Sequence, residues 1–408
     1  MIILSHPTGN FNVRMTAKAL FECDLLEEFH TCISLPKHNP FIDLLGGNIK
    51  DEYFRRVFTE IPESKQVSHP NREFLRQACF RSGLIRDMKE SHPMSDFSLY
   101  KNFDHQVSLR LKKDYCSRAV YCYEDGAKRT FIEAKKKGIQ CIYELPIGYW
   151  KSARNIFEEE RELNPEWANT LPGLKDSVHK LRRKDDELEL ADSIVVASKF
   201  VETTLRNNSQ IDQKIIVIPY CSPSAKILNK PNYNKGKLRV LFVGSLTQRK
   251  GLSYALDAIN MLNDRVTFTI IGQKVTHDCE PLNRALDQHT WFPSLPNNQI
   301  LQQMKNHDIL LFPTLFDGFG LVITEALSQG IPVITTMNSG GPECIRHGID
   351  GFLVPIRDTS SIFLHLDQLD NDREKLQYMK ESCIQRSKRL SFDLYKRKLS
   401  YFINNIIK

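Results

Sequence analysis

Two α/β halves, each a parallel sheet covered by helices on both faces, are predicted by three observations. Short apolar runs alternate with helical stretches along the whole chain. A polar segment with two prolines and a glycine, CSPSAKILNKPNYNKGK after Tyr220, divides the chain near its middle. Glycine-bounded loops follow several of the runs, and open parallel sheets hold their ligands at that end of the strand. The 408 residues suffice for two domains of ordinary size, and 41% hydrophobic content is enough to build their cores.

The first domain is expected over 1–221. Strand Ile2–Ser5 leads through His6-Pro7-Thr8-Gly9-Asn10 into a helix with Val13, Ala17, Leu20 and Phe21 at helical spacing. Further strands are read at Ala119–Tyr123, Cys141–Tyr143, Ile194–Ala197 and Ile215–Pro219. Helices are read at Thr130–Lys137 and along the charged segment Leu174–Leu190, with Ser198 as the N-cap of another. The stretch His38–Ser98 shows no clear period and reads as helices and loops inserted between early strands. A linker is placed at 222–235. The second domain, 236–385, runs through strands Val240–Val243, Thr267–Ile271, Ile309–Phe312, Pro332–Thr335 and Phe352–Val354, and Phe392–Lys408 has the pattern of an amphipathic helix.

Composition excludes some functions. The net charge of +7, from 56 Lys and Arg against 49 Asp and Glu, is too weak and dispersed for a nucleic-acid partner. It suits phosphorylated ligands or an anionic membrane surface. The clusters Lys135–Lys137 and Arg182–Lys184 read as solvated helix faces. Ten cysteines occur singly with no C-x-x-C pair, which argues against zinc and for reduced, intracellular thiols. The first apolar run is too short for a signal peptide, and nothing reaches the length of a membrane span. The expected location is the cytoplasm, with peripheral attachment to the inner face of the plasma membrane left open.

Chemistry concentrates in residues 309–355. An apolar strand turns into Asp317-Gly318-Phe319-Gly320, and a helix follows with Glu325 in its early turns. Backbone N–H groups and the positive end of the helix suit a phosphate. Two carboxylates eight residues apart suit vicinal hydroxyls, so the segment fits a phosphorylated sugar or a nucleotide ribose. Gly340-Gly341-Pro342-Glu343 adds a further loop downstream. A second loop, Gly244-Ser245-Leu246-Thr247-Gln248-Arg249-Lys250-Gly251, follows strand RVLFV and offers cations to a diphosphate leaving group.

At these residues the chain resembles the retaining glycosyltransferases of family 4. Asp317, Gly318, Phe319, Gly320, Glu325, Ala326, Gly330, Pro332 and Val333 match that family's signature in order, with Asp317 where Glu is usual. Lys250-Gly251 match its second motif, with Ser245 where many members carry Arg, and Arg249 is the candidate replacement. The resemblance implies the two-domain GT-B fold, with the C-terminal helix, about 386–408, crossing back onto the first domain. It implies transfer of a sugar with retention from a nucleotide-sugar donor, a UDP- or GDP-sugar, to a saccharide or lipid-linked acceptor. Lys250, Arg249, Asp317 and Glu325 become the catalytic candidates, Glu325 holding the donor ribose and Asp317 lying near the transferred sugar. The donor-binding set adds Gly9, Asn10, Gly244, Ser245, Gly272, Gly318, Phe319, Gly320 and Leu321. For Asn10 a role as N-cap stands beside contact with the cleft.

Acceptor-side candidates follow the strands of the first domain: Arg14, Glu124, Asp125 and Glu144. Many family members have His where Tyr143-Glu144 stand here. No metal or cofactor is expected, since the only Asp-x-Asp spacing, Asp370-Asn371-Asp372, lies in a polar segment late in the chain. The alternatives are a non-catalytic relative that binds a glycan or nucleotide, and a sugar-nucleotide epimerase of the same fold. An NAD-binding oxidoreductase is disfavoured, because no strand leads into G-x-G-x-x-G.

Overall fold

A computed structural model of the chain describes residues 1–37, 50, 53–82, 89–113, 117–225 and 236–407. Most of the predicted linker and parts of the 38–98 stretch therefore lie outside the described residues.

Two all-parallel sheets carry the structure. The first contains β1 (Ile2–Ser5), β2 (Leu26–Thr31), β3 (Gln66–Ser68), β4 (Ala119–Tyr123), β5 (Gln140–Leu145), β6 (Ser193–Val196) and β7 (Lys214–Val217), in the order β3-β2-β1-β4-β5-β6-β7. The second contains β8 (Leu238–Val243), β9 (Val266–Ile271), β10 (Thr290–Phe292), β11 (Ile309–Phe312), β12 (Val333–Thr336) and β13 (Gly351–Val354), in the order β10-β9-β8-β11-β12-β13. Central strands such as β1, β4 and β11 are buried along their whole length, as expected of strands covered on both faces. Strand order reverses between β1 and β4 and again between β8 and β11. Those are the switch points at which a parallel sheet opens a crevice beyond its strand ends.

β2 and β3 escape sequence reading. β2 is LEEFHT, and its polar positions are tolerated because Arg110 donates to Glu28 at 2.8 Å while His30 bonds the same carboxylate at 2.9 Å. Of the basic cluster at 182–184, Arg182 is exposed as expected, but its two neighbours are not. Arg183 is buried against Asp104 (2.6 Å) and Glu187 (3.1 Å), and Lys184 is buried against Glu124 (2.8 Å) and Asp125 (3.2 Å). Lys135–Lys137 are exposed as expected.

Two helices tie the sheets together. Phe392–Ile406 buries Tyr395, Leu399, Phe402 and Ile403 at helical spacing, and its Tyr395 hydroxyl lies 2.7 Å from Thr16 Oγ1 in the helix after β1. Lys396 reaches Glu22 of that same helix at 2.6 Å. The C-terminal helix thus crosses back onto the first sheet. In the other direction, helix Trp150–Leu163 carries Glu160 into the second domain. There it is fully buried and accepts from Gln248 Nε2 (2.8 Å), Tyr254 Oη (3.0 Å) and Arg357 Nε (2.8 Å). Glu160→Ala removes the acceptor shared by Gln248, Tyr254 and Arg357, though Arg357 keeps Glu159 and Ile156 O, an expected loss of about 1–3 kcal/mol read as a lower urea midpoint. An unchanged midpoint would show the cross-domain anchor to be inert.

Candidate functional site

The loops after β8 and β11 are stitched into one surface. Gly251 is left-handed (φ +71°), and a Cβ there would sit 1.9 Å from Pro313 O, so only glycine lets the two loops meet. Arg249 O accepts from Leu315 N (2.9 Å) and Thr314 Oγ1 (3.1 Å), while its Nη1 donates to Phe316 O at 2.9 Å. This contact aims the Arg249 backbone and guanidinium along the second loop. Lys250 Nζ is ion-paired with the Asp317 carboxylate and lies 4.7 Å from the Phe312 ring centre.

Burial pulls the Lys250 pKa down to about 8, against the opposing pull of Asp317 and with the help of Arg249. For Asp317, burial works to raise the pKa, but the Lys250 and Arg249 charges outweigh it and hold the carboxyl below its usual value. At neutral pH the pair is therefore an ammonium and a carboxylate.

Gly320 (φ +77°) precedes helix Leu321–Ser328, whose first turn opens on a 410 Å³ cavity shared with Gly244, Ser245, Arg249, Lys250 and Asp317. Glu325, one turn further along, lines an adjoining 770 Å³ cavity with Thr8, Gly9 and Asn10 of the first domain. Burial raises the Glu325 pKa, and Asn297 Nδ2, donating at 2.8 Å, offsets this. Asn10 lines both cavities, so they join at the first-domain wall. It also caps its helix, Oδ1 accepting from Val13 N at 3.2 Å. Capping uses only the oxygen, and both readings of Asn10 hold together.

Other candidates take different places. Phe319 is buried, its ring packed edge-on against Tyr220 at 5.2 Å, and it supports the loop from beneath. Leu321 lines the cavity as the first residue of the helix. At Gly272 a Cβ would lie 1.8 Å from Gly244 O, so its role is to let the loops after β8 and β9 touch. Gly9 (φ +61°) plays the same part against Phe58.

The acceptor-side set needs correction. Arg14 lines the 770 Å³ cavity beside Gly9 and Asn10, but its guanidinium is already engaged. It donates to Gly9 O (3.2 Å), Val57 O (2.7 Å) and Arg55 O (2.7 Å), pairs with Glu60 and lies over Phe58, so it braces the 53–60 segment. Glu144 is not in a loop but inside β5, buried, with the Tyr121 hydroxyl donating at 2.6 Å and the Tyr220 hydroxyl at 2.5 Å. Its carboxylate is enclosed by tyrosines beneath the cleft. Glu124 stays at the cleft, on a 280 Å³ cavity shared with Trp150, Arg249 and Phe316, though Lys184 already neutralises it and Asp125.

Sequence reading missed Asn297, the partner of Glu325, and Asn12, Tyr220 and Val322 on the cavity wall. The Pro296-Asn297-Asn298 run, which opens helix Asn297–Asn306 beyond β10, was a usable signal, because paired amides at a helix start on the strand-end side have no core role.

Two Rossmann-like sheets facing each other with their carboxyl ends, joined by a returning C-terminal helix, form the GT-B fold. Residues 224–386 match the family model described as glycosyl transferases group 1, and the matched segment holds the whole second sheet with Lys250, Asp317 and Glu325. The chain is 32% identical over 154 residues to the amylovoran biosynthesis glycosyltransferase AmsK of Erwinia amylovora, a match covering 33% of this chain and 37% of that protein. The chain spans about half or less of the length of the first curated relatives it matches. Among solved structures, sucrose-phosphate synthase from Thermosynechococcus elongatus superposes with a TM-score of 0.67 at 15% identity, covering 99% of this chain and 98% of that one. Anabaena HepE in complex with UDP-glucose superposes at 0.62 and 14% identity, covering 99% of both chains.

Proposed function

We propose that the protein is a retaining glycosyltransferase of the hexosyl-transferring type, acting in polysaccharide biosynthesis. It takes a sugar from a UDP- or GDP-sugar and passes it to a saccharide or lipid-linked acceptor. The observation that carries this reading is the joined cavity. At one end are Lys250, Arg249 and the first turn of helix Leu321–Ser328; at the other is Glu325, with Gly9 and Asn10 opposite. The spacing suits a nucleoside diphosphate, with phosphates at the cations and ribose hydroxyls at the carboxylate. HepE, which shares the fold, is solved with UDP-glucose, and this favours UDP.

In this reading Lys250 and Arg249 stabilise the departing diphosphate as the glycosidic bond breaks, without a required metal. A donor phosphate oxygen takes the acceptor's proton on the face the diphosphate leaves, so configuration is retained and the protein supplies no nucleophile. Work would take place at the cytoplasmic side, with the acceptor presented from solution or from the inner face of the plasma membrane. Among the described residues no helix is long and apolar enough to cross a membrane.

Thermal stabilisation by UDP, GDP, ADP and TDP tests the donor site. A matching nucleotide at 100 times its Kd adds about 2.7 kcal/mol to apparent stability, and Glu325→Ala is expected to remove most of that gain. If none of the four stabilises the wild type, with EDTA or with Mg²⁺, the nucleotide-sugar reading fails.

A further inference from the structure

A separate polar cavity of 510 Å³ opens at the edge of the first sheet, beyond β3, on the same strand-end rim as the cleft. Its size is that of a small-molecule site, about 300–1,000 Å³. His69, Arg72, Asn102 and Gln106 supply polar walls, and Leu75 and Met94 supply apolar ones. Behind it runs a chain of three side chains. Glu28 bonds His30 Nε2 at 2.9 Å, and His30 Nδ1 lies 3.0 Å from His69 Nε2.

With both imidazoles neutral, the hydrogen bonds of this chain have one consistent direction. Arg110 donates to Glu28 at 2.8 Å, keeping it a carboxylate, with a pKa lowered to about 2 chiefly by the His30 hydrogen bond. A carboxylate only accepts, so His30 must donate from Nε2. Burial keeps His30 neutral, which leaves its Nδ1 as an acceptor, and His69 must donate to it from Nε2. Burial also keeps His69 neutral, its pKa lowered to about 4. Its Nδ1 is then a bare lone pair. That atom bonds no described residue and is not one of the buried unpartnered atoms, so it is open at the cavity. A locked acceptor beside amide and guanidinium donors, with an apolar patch alongside, is the recognition chemistry of a neutral polyhydroxyl ring.

We propose that this cavity is a saccharide subsite, with His69 Nδ1 accepting from a sugar hydroxyl and Asn102 and Gln106 bonding its neighbours. β3 lies two strands from β1, about 10 Å, and the rim between them is continuous. Thr31 Oγ1 donates to Pro7 O at 3.0 Å, His69 N donates to Thr31 O at 2.9 Å, and Tyr100, on the same helix as Asn102 and Gln106, lies beside Thr8. A unit of a bound saccharide can therefore lie here while another lies further along this rim toward the cleft. The identity of that saccharide as the acceptor rests on the glycosyltransferase reading; binding to the cavity does not.

The test uses the full chain with isotope-labelled histidine, titrated with the methyl glycosides of glucose, galactose, mannose, rhamnose and N-acetylglucosamine at millimolar concentration. Before any sugar is added, the His69 ring should carry its proton on Nε2. At least one glycoside should shift the His69 signals. His69→Ala and Asn102→Ala should each weaken that binding about tenfold, the worth of one hydrogen bond, while UDP stabilisation stays as in wild type. A proton on Nδ1, no shift with any glycoside, or undiminished affinity in both variants overturns the subsite. Because UDP binding is read separately, failure here is distinguishable from failure of the donor site.

Discussion

Lys250→Ala is expected to lower kcat by about 10²–10³-fold, with a much smaller loss of nucleotide affinity. The ammonium sits where a diphosphate would leave, and its charge matters most when that group carries its full negative charge. In the proposed reading the ground-state donor is also held elsewhere, by Glu325 and the first turn of helix Leu321–Ser328, which line the joined cavity. A second effect must be separated from this one. Lys250 is the ion-pair partner of Asp317, and its removal leaves a carboxylate that burial disfavours. Lys250→Ala combined with Asp317→Asn removes that penalty, so the double variant should regain stability and stay slow.

Acidity gives an independent check. The free-enzyme pKa of about 8 means that Lys250 is charged below pH 8 and loses its proton as pH rises through that value. kcat/KM, which reports the free enzyme, should be flat on the acid side and fall above pH 8. Lys250→Arg, charged throughout, should lift that limb. A variant that lost affinity alone, or a profile unchanged by Lys250→Arg, would remove Lys250 from catalysis.

The parts of this molecule that a sequence shows are those whose cause is local. Strand Ile309–Phe312 falls where its apolar pattern ends, and Ser198 caps its helix, accepting from Val201 N at 3.3 Å. The glycine loops and their acids were legible for the same reason, because loop, strand and helix lie within one short segment. What was hidden depends on partners far along the chain. Lys184 reads as solvated until Glu124 and Asp125 fold onto it. Glu144 reads as a loop acid until Tyr121 and Tyr220, 23 and 76 positions away, enclose it. Strand β2 reads as polar until Arg110, 82 positions away, neutralises Glu28. Charge in a sequence gives the cost of burial but not the partner that offsets it, and so the acceptor side was read less well than the donor side.

Gly318→Ala should cost about 10²-fold in kcat for a reason the sequence conceals. In the signature loop, glycine reads as freedom for a phosphate to approach the backbone. The structure gives it a different neighbour: a Cβ at Gly318 would lie 1.8 Å from Pro146 O and 2.8 Å from Ile147 Cα, both in the first domain. Two positions on in that loop, a Cβ at Gly148 would meet the Phe316 ring at 2.4 Å, and Ser198 Oγ donates to Gly318 O at 2.6 Å. The loop after β5 and the loop after β11 thus interlock through two glycines, and this contact sets the gap between donor cations and the first-domain wall. One added methyl group cannot be absorbed by a side-chain rotation, since the atoms it meets are backbone. The domains must part, and a displacement near 1 Å is enough to spoil alignment of acceptor and donor. Glu325, Lys250 and Arg249 all belong to the second domain and move together, so UDP should still stabilise the variant. Small-angle scattering should show the variant more open than wild type in the presence of UDP. Wild-type turnover in Gly318→Ala, or a loss confined to UDP binding with the domains as closed as before, would mean that the glycine serves the phosphate and not the interface.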